Sequence, residues 1–144
     1  MKRMVVSGCV MLSIVCTLAS SSWADPIAEH RHGPRHGGQF GDAEDLFHFE
    51  LVLEPSNRLL FYVNDALNRP LDVRTLQARW TLNPDAPSPL LGSFVPSPDG
   101  AYFSATLPPI TTNQAHMEVA VLKGTQWVAM EFFLPVARPA PQTY

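Results

Sequence analysis

Apolar and polar residues alternate from Leu46 onward, and the alternation predicts strands. Phe47, Phe49, Leu51 and Leu53 fall on one face of an extended segment, and His48, Glu50, Val52 and Glu54 on the other. Pro55-Ser56-Asn57 reads as a turn. Arg58 to Asp65 follows as a strand with Leu59, Phe61 and Val63 inward, so the two segments predict a hairpin. Asp65 to Asp72 is a loop. Thr75 to Leu82 predicts a third strand, with Leu76, Ala78, Trp80 and Leu82 on one side. Asn83 to Pro89 holds three prolines and is excluded as a central strand. Leu90 to Val95 is a short apolar strand. Ser97-Pro98-Asp99-Gly100 is a turn, and Ala101 to Leu107 puts Phe103, Ala105 and Leu107 on one face.

The last hairpin has the most definite pattern. His116 to Lys123 and Gln126 to Leu134 flank Gly124-Thr125, and Gly in the first central place suits a type II′ turn. That register pairs Val121 with Val128, Val119 with Met130, and Met117 with Phe132 on the apolar face. The other face pairs Leu122 with Trp127, Ala120 with Ala129, Glu118 with Glu131, and His116 with Phe133. Like charges directly opposite repel, so Glu118 and Glu131 require solvent, a cation or a proton between them. The sum is about seven strands and no convincing helix. An all-β, antiparallel β-sandwich follows, Ig-like or cupredoxin-like. It spans 46–135, after a flexible His-rich arm at 25–45 rich in Gly and Pro, and before a Pro-rich tail at 136–144.

The segment before the arm is of another kind. Lys2 and Arg3 precede an apolar run from Val5 to Leu18, and Ser22-Trp23-Ala24 carries the small residues of a cleavage site. This predicts a secretory signal peptide at 1–24, hence a periplasmic location, with no membrane span left in the mature chain. Val6-Ser7-Gly8-Cys9 resembles a lipid-attachment box, but the apolar run follows Cys9 instead of preceding it. Both cysteines, Cys9 and Cys16, would leave with the signal. The 144-residue chain has net charge −3; losing Lys2 and Arg3 reduces ten basic residues to eight against 13 acidic ones, giving −5. That balance disfavours nucleic acid and anionic membranes as partners and is compatible with cations.

Four of the five histidines, His30, His32, His36 and His48, lie within 30–50 together with Asp42, Glu44, Asp45 and Glu50. Imidazole binds Cu(II), Zn(II) and Ni(II), and a flexible backbone lets several rings converge on one ion. His48 and Glu50, two apart on a strand, share a face and are expected to be open to solvent. A metal site from His36, His48 and Glu50, helped by His30 and His32, is the sharper reading; a solvated tail beside a hydrated strand face is the plainer one. His116 with Glu118 and Glu131 is a second cluster, while the alternation assigns Met117 and Met130 to the core. The chain carries no Gly-x-Ser-x-Gly elbow, phosphate loop or His-Glu-x-x-His helix, and a blue-copper centre needs a Cys thiolate, so no enzyme activity is expected.

His36-Gly37-Gly38, then His48-Phe49-Glu50-Leu51-Val52, then Leu60-Phe61-Tyr62-Val63-Asn64-Asp65 to Arg69-Pro70-Leu71-Asp72 carry a resemblance. Over about residues 34–75 the chain resembles small exported β-sandwich proteins of Gram-negative bacteria. Similar segments occur in periplasmic adaptor subunits of heavy-metal efflux systems and beside copper-handling genes. The resemblance implies His36 and His48 as ligands with Glu50 as support; His30 and His32 lie outside the shared segment. It implies a copper- or zinc-binding chaperone, buffer or efflux accessory, with an efflux or metal-handling envelope protein as partner. The expectation from another class is a non-enzymatic envelope interaction module with no metal role, meeting its partner through exposed strand edges and the tail.

Overall fold

The computed structural model describes residues 33–135. The signal-segment reading, His30 and His32, and the tail at 136–144 lie outside them. The described residues form nine strands: β1 (Gln39–Ala43), β2 (Phe47–Leu53), β3 (Arg58–Asp65), β4 (Ala78–Leu82), β5 (Leu90–Ser93), β6 (Val95–Pro96), β7 (Phe103–Thr106), β8 (Gln114–Lys123) and β9 (Gln126–Pro135), with one 3₁₀ turn at Val73–Thr75. All pairings are antiparallel. One sheet has the order β1-β2-β3-β7-β6 and the other β5-β4-β8-β9. No helix among the described residues is long and apolar enough to cross a membrane.

The alternation explains the sandwich. Phe49, Leu51, Leu59, Phe61 and Phe103 point inward from the first sheet and Met117, Val119, Val121 and Val128 from the second, all essentially inaccessible. Phe61 anchors an aromatic cluster, edge-on to Phe49 at 5.0 Å and beside Phe94 and Phe103. Burying each such side chain contributes roughly 1.5–3 kcal/mol. The β8–β9 register is the expected one at every pair, from Leu122 with Trp127 to His116 with Phe133. Gly124 takes φ 62° while Thr125 stays out of the left-handed region, as a type II′ turn requires.

Three expectations change. The segment expected as one strand at 90–95 divides: β5 pairs with β4, β6 pairs with β7, and buried Phe94 between them carries the chain from one sheet to the other. The strand expected from Thr75 begins at Ala78, because Asp72 accepts the Arg74 N–H and caps a 3₁₀ turn that buries Val73. The arm is not flexible throughout 25–45: Gln39–Ala43 pairs with β2 as the terminal strand of its sheet. Glycine is why the pattern conceals β1. Gly41 lets the strand close onto the Met130 side chain of β9, where a Cβ would overlap the Met130 methyl.

Candidate functional site

On β2 the core face takes Phe47, Phe49 and Leu51, which leaves His48 and Glu50 on the outer face, as expected. They are not open to solvent: His48 is 8% and Glu50 3% exposed. β1 and β3 flank them, and residues 35–38 fold back over Glu50. Gly37 makes that fold with φ 79°. Gly38 brings the backbone down so closely that a Cβ there would sit 2.5 Å from the Leu51 carbonyl oxygen.

Glu50 is the clasp of this arrangement. Its Oε1 accepts the main-chain N–H groups of His36 at 2.7 Å and Gly38 at 3.0 Å; its Oε2 accepts the Arg35 N–H at 2.9 Å and the His36 Nδ1–H at 2.9 Å. Converging backbone N–H groups of this kind form an anion-binding nest. Burial acts to raise the Glu50 pKa, but the bonds from Gly38, Arg35 and His36 together outweigh it, and the carboxyl is held below its ordinary range. With two donors on each oxygen the carboxylate has its acceptor sites filled. Glu50 is therefore an orienting group for the arm and not an open metal ligand.

His36 lies flat on Tyr62 of β3, ring centroids 3.6 Å apart and planes 3° from parallel. A carboxylate only accepts, so Nδ1 carries the proton and Nε2 the lone pair of the neutral ring. The side chain is 42% exposed, and Nε2 meets no hydrogen-bond partner among the described residues. Burial, then the neighbouring Tyr102 and Glu50, raises the Tyr62 pKa, so the phenol beneath the ring stays neutral. The Arg35 guanidinium donates to the Asn68 carbonyl at 3.0 Å and ties the start of the arm to the β3 loop.

His48 is built in a similar way. Its Nδ1 lies 2.8 Å from the Asp65 carbonyl oxygen, which can only accept, so Nδ1 again carries the proton. That carbonyl is fixed because the Asp65 carboxylate binds the Arg69 side chain and the main-chain N–H groups of Leu67 and Arg69, holding its own pKa low. His48 Nε2 lies 3.0 Å from Asp42 Oδ1 on β1, its register partner. Two lone-pair donors attract at that distance only when a proton or a metal cation lies between them. Asp42 is 63% exposed, so the pair opens outward.

The structure thus brings His36 to Glu50 and His48 to Asp42. His36 leans over β3, while His48 faces β1 and stacks near Phe40 at 5.5 Å. Among the described residues no three His, Cys, Asp or Glu side chains form a group able to hold an ion. His116 sits on the other sheet, 3.4 Å from both Asp85 and Glu131 and stacked on Phe133. Met117 is buried and Met130 packs against the core, as the alternation implies. Asp42 and Tyr62 are site residues that pattern reading passes over. The clue to Asp42 was its place six residues before His48 across a short turn, which a recognised β1 would have made a cross-strand pair. Comparison with protein-family models, with characterised proteins and with solved structures gives no match.

Proposed function

We propose that this protein is a non-catalytic, exported transition-metal-binding protein of the periplasm, with copper or zinc as its ion, serving as chaperone, buffer or efflux accessory. One observation carries the reading. Two histidines, His36 and His48, each have Nδ1 held by an oxygen acceptor, the Glu50 carboxylate in one case and the Asp65 carbonyl in the other. At His36 this leaves Nε2 to carry the lone pair, and at His48 Nε2 faces the Asp42 carboxylate, where a metal cation can take the place of a proton. Metal-binding histidines are prepared in that way, because the outer acceptor fixes tautomer and ring orientation and raises ligand basicity. His48 Nε2 with Asp42 Oδ1 is the first donor pair, its shell completed by water, and His36 Nε2 is the second position. His30 and His32, shortly before His36 in the chain, are the further donors the sequence offers. Imidazole and carboxylate together suit Cu(II) and Zn(II). An Ig-like or a cupredoxin-like grouping of the sandwich leaves this reading unchanged. Calorimetric titration with Cu(II), Zn(II) and Ni(II), before and after combining His36→Ala with His48→Ala, tests it. Loss of the binding isotherm in the variant supports the site, and an identical isotherm overturns it.

A second reading, an envelope interaction module, draws on Leu91 and Val95, which are 73% and 63% exposed at the β5 and β6 edges. A partner captured equally with and without chelator, and lost in Leu91→Lys with Val95→Lys, would favour it over the metal reading.

A further inference from the structure

The arm and β1 join the rest of the sandwich through one tight turn, Glu44-Asp45-Leu46, closed by the Leu46 N–H on the Ala43 carbonyl at 3.0 Å. Glu44 and Asp45 both lie in the left-handed region, at φ 52° and 55°. Every other described residue with such a φ is Asn or Gly. Asn and Asp tolerate this conformation because a short polar side chain bonds locally; Glu does not share that ability. Among the described residues the one hydrogen bond to the Glu44 side chain, from Gln126 Nε2, is long at 3.5 Å. The turn is therefore held by the strands on either side of it, against the preference of Glu44.

Residues 33–43, on the N-terminal side of that turn, meet the body as a docked ligand would. β1 is a terminal strand, bonded along its length to β2. Arg35, His36 and Gly38 converge on the Glu50 carboxylate, and the His36 ring lies on Tyr62. Asp42 meets His48. The Gln39 amide both donates to the Phe133 carbonyl at 2.8 Å and accepts the Phe133 N–H at 3.2 Å, covering the β9 edge. None of these contacts requires that the two sides belong to one chain; only the turn imposes that.

We propose that residues 33–43 exchange between two copies of this chain. In the exchanged dimer each turn opens into an extended link, and β1 of one copy fills the β2 edge of the other. His36 then rests on the second copy's Glu50, and Asp42 meets the second copy's His48. Short, strained hinges favour such exchange, because all docked contacts are regained while the hinge relaxes. The candidate histidine positions would each be completed by a second copy. The inference stands independently of metal binding.

Light scattering behind size-exclusion chromatography tests it on the protein as its host processes it, concentrated and then diluted. The wild type should show a dimer that outlasts dilution, since exchange requires undocking of a whole strand. Glu44→Asn with Asp45→Gly supplies residues suited to a left-handed turn, and should lower the dimer-to-monomer ratio by about tenfold or more. Asp42→Cys with His48→Cys, with Cys9 and Cys16 replaced by Ser where retained, places a thiol on each side of a register pair. On oxidation it should link two chains on a non-reducing denaturing gel. A wild type that is monomeric throughout, a dimer undiminished by the turn variant, or disulfides closing only within single chains would each overturn the proposal.

Discussion

Replacing Glu50 with Gln alters one oxygen-sized group and no shape, and the structure sets what that should cost. The carboxylate accepts four N–H groups, two on each oxygen. The Gln amide oxygen can keep one pair, the main-chain groups of His36 and Gly38, as neutral bonds. Its NH₂ group then faces the Arg35 N–H and the His36 ring with donor against donor. Two charge-assisted bonds are lost and two weakened, about 3–4 kcal/mol in all before the arm finds water. Residues 33–37 are exposed and their donors rehydrate, and the variant no longer buries a charge. The net loss should be about 2 kcal/mol. Urea unfolding followed by tryptophan fluorescence measures the loss, and amide exchange at Arg35, His36 and Gly38 locates it. The pH dependence has a definite sign. Because the folded carboxyl lies below its ordinary range, the clasp contributes fully above the usual glutamate pKa of about 4.3. It is lost as pH falls through the lower folded value, so wild type and variant should converge in acid. A stability difference below about 0.5 kcal/mol at neutral pH, with arm amides as protected as in wild type, would refute the clasp.

Further outcomes follow from close contacts and charge. Gly38→Ala forces a methyl against the Leu51 main-chain oxygen, which cannot move aside; it should cost about 1–3 kcal/mol and raise exchange at the arm amides. Gly41→Ala meets only the tip of Met130, a flexible side chain, so by the same denaturation assay it should cost less than Gly38→Ala; the reverse order would contradict the packing described. Asp72 is held down to about 2 by the Arg74 side chain, through its guanidinium bonds and then its main-chain N–H. Arg74→Ala should return the Asp72 carboxyl towards the ordinary aspartate value of about 3.9 in an NMR titration.

The strands were legible where alternation is carried by large side chains. Phe49, Leu51, Phe61 and Val63 announce β2 and β3, and the apolar pairs around Gly124-Thr125 fix the β8–β9 register, though β8 begins at Gln114, two residues before the expected start. β1 was hidden because Gly38 just before it and Gly41 within it, which let the backbone close on its neighbours, read in sequence as loop. That omission shaped the site. Without β1 and the folded-back arm, His48 and Glu50 stand on a bare outer face, and Glu50 reads as a ligand. With them, Glu50 is buried and its oxygens are taken. The nearness of His36 to Glu50, and of His48 to the end of β3, depends on long-range docking that local periodicity does not encode. That Asp42, and not Glu50, stands beside His48 follows from that single missed strand.

The central claim is that His36 and His48 are held with Nδ1 protonated and Nε2 prepared for an ion. Long-range ¹H–¹⁵N correlation spectra of the imidazole rings test it directly, first without metal and then with stepwise Zn(II). At a pH where its ring is neutral, His36 should appear as the Nδ1–H tautomer, and Zn(II) should shift the Nε2 resonances of both rings while Nδ1–H persists. An Nε2–H tautomer at His36, or Nε2 resonances unmoved by Zn(II), would contradict it.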